Sequence, residues 1–277
     1  MSVIKFSIIT VNFNNKLGLK KTMQSVLNQT CENFEYIIID GGSTDGSKEV
    51  IEEYNSEISY WVSEKDNGIY NAMNKGILKA SGEYCLFLNS GDWFVDTDVL
   101  NKIDKTQFTE PIIYGNVLKV NDSTTGFERD KSLRSSELTL MDIYYNTLPH
   151  QSVFIKRELF DRYGLYDESF KIVSDWIFFL KTIGVNGVSV KYFDIDISYY
   201  DTNGFSSKNN KLRFEEKELG RKKVIPKQLY SDYVYLDMLN KNKYKISFYD
   251  KLNGSKLLMY FIKVSNRIFK LNLWKLS

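Results

Sequence analysis

The first hundred residues alternate between two hydrophobic rhythms. "KFSIITVNFN", "FEYIIID", "ISYWVSE" and "YCLFLNSGD" are short apolar runs and read as four buried strands. Between them the period lengthens. Residues 16–28 set Leu19, Met23, Val26 and Leu27 at helical spacing, and a second helix begins near Ser47. "GIYNAMNKGILKASG" puts Ile69, Met73, Ile77 and Ala80 on one helix face, with Gly82 as its stop. Strands apolar on both faces, alternating with helices, predict an α/β fold with a Rossmann-like, mostly parallel central sheet flanked by helices. Ligands of such sheets gather at the carboxyl ends of the strands. Asn12 and Asn14, then Asp40, Ser43 and Asp45, then Asn89 and Asp92 all fall at such ends. Three polar turns are expected to meet along one rim.

The second half is less regular. "PIIYGNVLKV" and "VSVKYFDIDISYY" read as strands, "SELTLMDIYY" and "SDWIFFLKTIG" as helices, and "LPHQSVFIKRELFDRYG" as a strand followed by a helix. Residues 212–240 read as helical. The pattern divides into a main domain over 1–210, in two halves, one to about residue 100 and one over 101–210. A helical extension covers 211–277.

Composition narrows the function classes. The chain has 277 residues, 43% of them apolar, enough for a substantial core. A formal net charge of +2 gives no global reason to expect nucleic acid as a partner. The two cysteines, Cys31 and Cys85, suit neither a disulfide framework nor a metal cage and fit a reducing, cytoplasmic setting. The N-terminus lacks a signal-peptide pattern, and no apolar run reaches membrane-spanning length. From Lys241 onward nine Lys or Arg stand against the single acid Asp250, interleaved with Leu, Ile, Phe and Trp. That tail reads as a basic amphipathic helix, suited to the inner face of the plasma membrane or to packing on protein.

Four motifs in order carry a family resemblance. "SIITVNFNNKLGLKKTMQSVLNQT", "EYIIIDGGSTDGS", "GIYNAMNKGILKASGEYCLFLNSGDWF" and "DESFKIVSDWIFFLK" together resemble the family 2 glycosyltransferases of the GT-A fold, over about residues 4–205. The likeness is nearest to members that build bacterial exopolysaccharide and capsule. It implies an inverting transfer of a sugar from a nucleoside-diphosphate donor, most naturally a UDP-sugar, to a hydroxyl of a glycan or lipid-linked acceptor. By the same resemblance Asp175 is the general base and Asp92 the ligand of a Mn²⁺ or Mg²⁺ ion. Thr10, Val11 and Asn12 line the nucleobase pocket, and Asp40 contacts base or ribose. Asn74 and Asn89 belong to the nucleotide site. Asp66, Asn71, His150, Trp176 and Asp201 are candidates around donor sugar or acceptor, Trp176 as a wall and Asp201 in a loop with Asn203, Ser206 and Ser207.

The chemistry of these residues accords with those roles. A hard divalent cation takes oxygen ligands and shares them with phosphates, and a carboxylate can draw the proton from an attacking hydroxyl. Each acid also has a plainer reading as a helix-capping or first-turn charge; for Asp45 capping of the helix from Ser47 suffices. The chain departs from the family pattern twice. Asn89-Ser90-Gly91-Asp92 stands where relatives carry an acidic cluster, and Gly41 replaces the second acid beside Asp40. These losses leave open a catalytically weak nucleotide-sugar-binding or assembly subunit.

Overall fold

The computed structural model describes residues 4–120, 127–130, 133–201 and 209–239. The chain divides into two compact units, Met1–Val224 and Ile225–Ser277. The first begins with β1 (Phe6–Asn12), α1 (Lys16–Leu27), β2 (Phe34–Asp40), α2 (Ser47–Glu53), β3 (Tyr60–Ser63), α3 (Ile69–Lys79) and β4 (Tyr84–Phe87). It continues through β5 (Trp93–Phe94), α4 (Val99–Asp104), β6 (Ile112–Val120), β7 (Phe127–Arg129), α5 (Leu140–Tyr145), β8 (Val153–Lys156) and α6 (Glu158–Tyr163). The last elements are α7 (Ser174–Phe179), whose last turn widens into a π-helix over Leu180–Val185, β9 (Val190–Asp201) and α8 (Asn210–Val224).

One nine-stranded sheet runs in the order β3-β2-β1-β4-β8-β6-β9-β5, with β7 added alongside β6. The first four strands pair with one another in parallel, as their two-sided apolar runs require. Antiparallel pairs enter with β8, which joins β4 on one side and β6 on the other. Phe6, Ile8, Ile38, Leu86 and Phe154 form the sheet's buried interior with Leu19, Met23 and Val26 of α1.

Register sets the rim. Asn12, Asp40 and Ser63 stand side by side across β1, β2 and β3, so their side chains share one face at the strand ends. Past β4 the parallel ladder continues for two more bonds, Leu88 N to Ile9 O (2.9 Å) and Ser90 N to Val11 O (3.0 Å). The chain then turns back through Asp92 N to Asn89 O (2.9 Å). Gly91 sits at φ 104°, a region costly for residues with a Cβ, which is why glycine ends this strand.

Two boundaries differ from expectation. The helix expected over 212–240 is two helices, α8 and one over 227–239, parted before Pro226, which has no amide hydrogen to continue the first. The expected division at 210/211 moves to 224/225 because α8 docks on the first unit. Glu216 accepts hydrogen bonds from Lys171 N (2.8 Å) and Ile172 N (2.9 Å), and Gly220 packs flush against Ile177 and Trp176. No helix among the described residues is long and apolar enough to cross a membrane. The basic tail lies outside the described residues, as do Asn203, Ser206 and Ser207.

Candidate active site

The turn 89–92 is anchored from α1. Thr22 Oγ1 donates to Asp92 O (2.6 Å) and accepts from Gly91 N (3.0 Å), while Asn15 Nδ2 donates to Ser90 O (3.0 Å). Asp92 is 5% exposed, and its Oδ1 accepts from Asp201 N at the end of β9 (3.3 Å). Burial dominates its acidity and pushes the carboxyl up to about 7, against the opposing pull of His150, the Asp201 amide and Gln151.

His150 joins that turn to the expected base. Its Nε2 lies 3.1 Å from Asn89 Nδ2, and its Nδ1 lies 3.1 Å from Asp175 Oδ2. For a neutral ring Nε2 accepts from that amide and Nδ1 carries the proton toward Asp175, whereas a charged ring donates from both nitrogens and takes the amide oxygen of Asn89 as its partner. Tyr70 of α3 donates to the other oxygen, Asp175 Oδ1, at 2.9 Å. Burial works against the charge on Asp175, yet the bonds from His150 and Tyr70 outweigh it and hold the carboxyl below its ordinary range. Burial likewise opposes a charged imidazole, but Asp175 and then Asp92 raise His150 above its usual value. Asn89, His150, Asp175 and Tyr70 therefore form one chain of contacts, with Asp92 beside it in the same turn as Asn89. Both acids act on His150, Asp175 through a hydrogen bond and Asp92 through its charge.

The rim of β1 and β2 is more self-contained than the sequence suggests. Asp40 is fully buried and its carboxylate accepts four bonds, from Asn12 Nδ2 (2.7 Å), Ser43 Oγ (2.6 Å), Ser43 N (2.9 Å) and Ser63 Oγ (2.6 Å). Burial resists its ionisation, and those bonds prevail to keep its acidity strong. Thr10 and Val11 stand below the rim, Thr10 Oγ1 donating to Leu88 O at 2.8 Å. Asp45 bridges two helix starts, accepting from Lys16 N (2.8 Å) and Ser47 N (3.0 Å), which is the capping role expected of it. What reaches outward is Phe13, 64% exposed, a residue that the polar run around it hides in the sequence. Asp66 lies against Gly41: a Cβ there would sit 2.5 Å from Asp66 Oδ2, so a larger residue at 41 would displace that carboxylate. Two buried amide oxygens on this rim, Asn12 Oδ1 and Asn89 Oδ1, have no hydrogen-bond partner among the described residues. Such groups are uncommon in native interiors, and both lie where a ligand would meet the strand ends.

Three expectations need correction. Asn74 is not free to hold a ligand: its amide pairs with the backbone of Tyr166, Nδ2 to O (2.9 Å) and N to Oδ1 (3.0 Å), and also donates to Glu168 Oε1 (2.8 Å). The segment after α6 covers the polar face of α3 and uses it for packing. Asn71 follows, donating to Glu168 Oε2 at 2.9 Å. Trp176 is not an acceptor wall, because it is 2% exposed and its Nε1 donates to Ile143 O (2.7 Å) and Asn146 O (2.9 Å). One residue after Asp175 on a helix, it points about 100° away, into the core.

The protein offers an ion little beyond Asp92. Among the described residues no three His, Cys, Asp or Glu side chains gather closely enough to hold a metal. A buried carboxylate whose acidity is weakened by desolvation fits a cation that draws most of its oxygens from a diphosphate, rather than one caged by protein.

Comparison with known proteins identifies the family. The model of glycosyl transferase family 2 matches residues 7–164. A PGL/p-HBAD biosynthesis glycosyltransferase of Mycobacterium bovis is 26% identical over 210 residues, covering 74% of this chain and 79% of the relative. An uncharacterized glycosyltransferase of Mycobacterium tuberculosis is 34% identical over 179 residues, 63% of this chain and 67% of its own. The crystal structure of S. aureus TarS 1–349 in complex with UDP-GlcNAc superposes with a TM-score of 0.66 at 18% identity, covering 86% of this chain and 72% of that one. The chain belongs to glycosyl transferase family 2 and has the GT-A α/β fold.

Proposed function

We propose that this member of glycosyl transferase family 2 is an inverting enzyme that moves a sugar from a UDP-sugar to an acceptor hydroxyl. The observation that carries the reading is His150, bonded on one side to Asp175 and on the other to the turn that bears Asp92. A carboxylate held ionised and a second one suited to a diphosphate-bound cation are the two groups that such a transfer requires. The UDP-GlcNAc held by the structural neighbour TarS supports UDP as the nucleotide.

In the step we envisage, the acceptor oxygen attacks C1 of the sugar as the bond from C1 to the diphosphate oxygen breaks. The electron pair leaves with the diphosphate, and the hydroxyl proton passes to Asp175. Tyr70 and His150 keep Asp175 ionised and aimed before the proton arrives. Phe13 offers a flat apolar face for the nucleobase, with Asn12 Oδ1 and Asp66 as acceptors near it. Asp92 would hold a divalent ion, Mn²⁺ or Mg²⁺, which supplies positive charge to the leaving diphosphate. The acceptor in this reading is a glycan or lipid-linked saccharide of bacterial surface-polysaccharide assembly. A peripheral membrane position for the enzyme rests on the sequence of its basic tail.

The thinned acidic turn at Asn89 favours a second reading, a nucleotide-sugar-binding subunit with little turnover. Following UDP-GlcNAc by proton NMR separates the two. The enzyme reading expects wild type to consume the donor in an Asp175-dependent way and to release a product of inverted anomeric configuration where an acceptor is present. Binding of UDP-GlcNAc with turnover no greater than that of Asp175→Asn would favour the subunit.

A further inference from the structure

α8 presents a row of cations to the base. Arg213, Lys217 and Arg221 recur at intervals of four and so share one helix face. The row is fixed in place, since Glu216 and Gly220 dock the helix and Arg221 donates to Tyr144 O at 2.8 Å. Lys217 Nζ lies over the ring of Trp176, 4.8 Å from its centroid, and that tryptophan directly follows Asp175. Among the described residues this ammonium has no hydrogen-bond or ion-pair partner.

That arrangement is costly for the protein alone. Burial, and then the like charge of Arg221, lower Lys217 to about 8, and the pull of Asp175 does not restore it. Arg221 is itself ion-paired with Glu218, whereas among the described residues no carboxylate bonds to Lys217, and a partly buried ammonium is stabilised by an anion that joins it. Asp175 cannot be that anion fully, because its oxygens are engaged by Tyr70 and His150. The ammonium thus stands within electrostatic reach of Asp175, the base of the proposed reaction.

We propose that Lys217, flanked by Arg213 and Arg221, binds a phosphate group of the acceptor, close to the hydroxyl that receives the sugar. This rests on the reading of Asp175 as base and narrows the acceptor to a phosphorylated saccharide or polyol. Lysine suits the task as a compact charge with three donors that can follow a phosphate without a fixed fork geometry.

The test uses the full chain saturated with UDP and Mg²⁺, so that the diphosphate site is filled, and titrates it with inorganic phosphate while tryptophan emission is read. Wild type should give a saturable change. Lys217→Met, which keeps an apolar stem on Trp176, should weaken phosphate binding by about tenfold or more, the loss of one charge-assisted contact. Lys217→Arg should retain it, and UDP affinity should be equal in all three proteins. Glycerol 3-phosphate should compete with phosphate, and glycerol should not. Equal phosphate affinity in wild type and Lys217→Met, or no saturable phosphate binding by wild type with UDP bound, would overturn the proposal while leaving the donor reading intact. Failure of wild type to bind UDP would overturn the donor reading, and with it the premise of this one.

Discussion

Tyr70 and Asp175 stand 105 positions apart in the chain, and the tyrosine hydroxyl donates to the carboxylate at 2.9 Å. The bond ties α3 to the start of α7. Removing it takes away one of the contacts that keep Asp175 ionised. Tyr70→Phe should lower kcat by about tenfold and move the acid limb of the pH–rate profile upward, with UDP affinity unchanged. Asp175→Asn should cost on the order of 10²–10⁴ in kcat. An unchanged acid limb in Tyr70→Phe would mean that the hydroxyl only packs there.

Asp92 and His150 make stability depend on pH in a defined direction. The Asp92 carboxyl, at about 7 in the folded protein, stands above its unfolded value of about 3.9, so the fold binds an extra proton between them. Its contribution is present at low pH and lost as pH rises toward and through 7. His150 is raised as well, and its share is lost as pH climbs through its folded value. The melting temperature of the ion-free protein should therefore fall between pH 5.5 and 8, and more gently in Asp92→Asn. Mn²⁺ with UDP should recover it at pH 8 in wild type but not in that variant. Parallel melting curves for the two proteins would contradict this.

Gly41 makes room for Asp66. Gly41→Ala should push the Asp66 carboxylate aside, since its new Cβ meets Oδ2 at 2.5 Å. If Asp66 faces the nucleobase, UDP binding should weaken to about the same extent in Gly41→Ala and Asp66→Ala, and the double variant should add little. Additive losses would place the two residues in separate roles.

Trp176 belongs to the scaffold. Trp176→Phe leaves the buried carbonyl of Ile143, and the more accessible one of Asn146, without the indole donor. The variant should lose about 1–3 kcal/mol of stability by denaturant unfolding and keep the wild-type affinity for UDP. A change confined to acceptor KM, with stability untouched, would restore Trp176 to the acceptor site.

Much of this site can be read from the chain because strand ends are local. Asn12, Asp40 and Asn89 each follow an apolar run, and parallel register then aligns them without further information. What the pattern could not tell was which polar atoms are already used. Asp40 reads as a free acid until Asn12, Ser43 and Ser63 give its carboxylate four hydrogen bonds. The stripe through Asn71 and Asn74 shows which side of α3 is polar, but not that the segment after α6 folds over it. His150 links two motifs only because β8 runs antiparallel beside β4, a pairing that no spacing in the sequence encodes. Tyr70 looked like one more aromatic on a helix. Its hydroxyl gains meaning only once α7 arrives beside it.

The most direct measurement is calorimetric titration of UDP, with Mn²⁺ present, into wild type, Asp92→Ala and Asp175→Asn, paired with donor turnover by each. Asp92→Ala should bind UDP more weakly, by about tenfold or more, and lose turnover. Asp175→Asn should bind UDP like wild type and lose turnover alone. Wild-type affinity in Asp92→Ala together with full turnover in Asp175→Asn would contradict the claim that these two acids serve one reaction in one cleft.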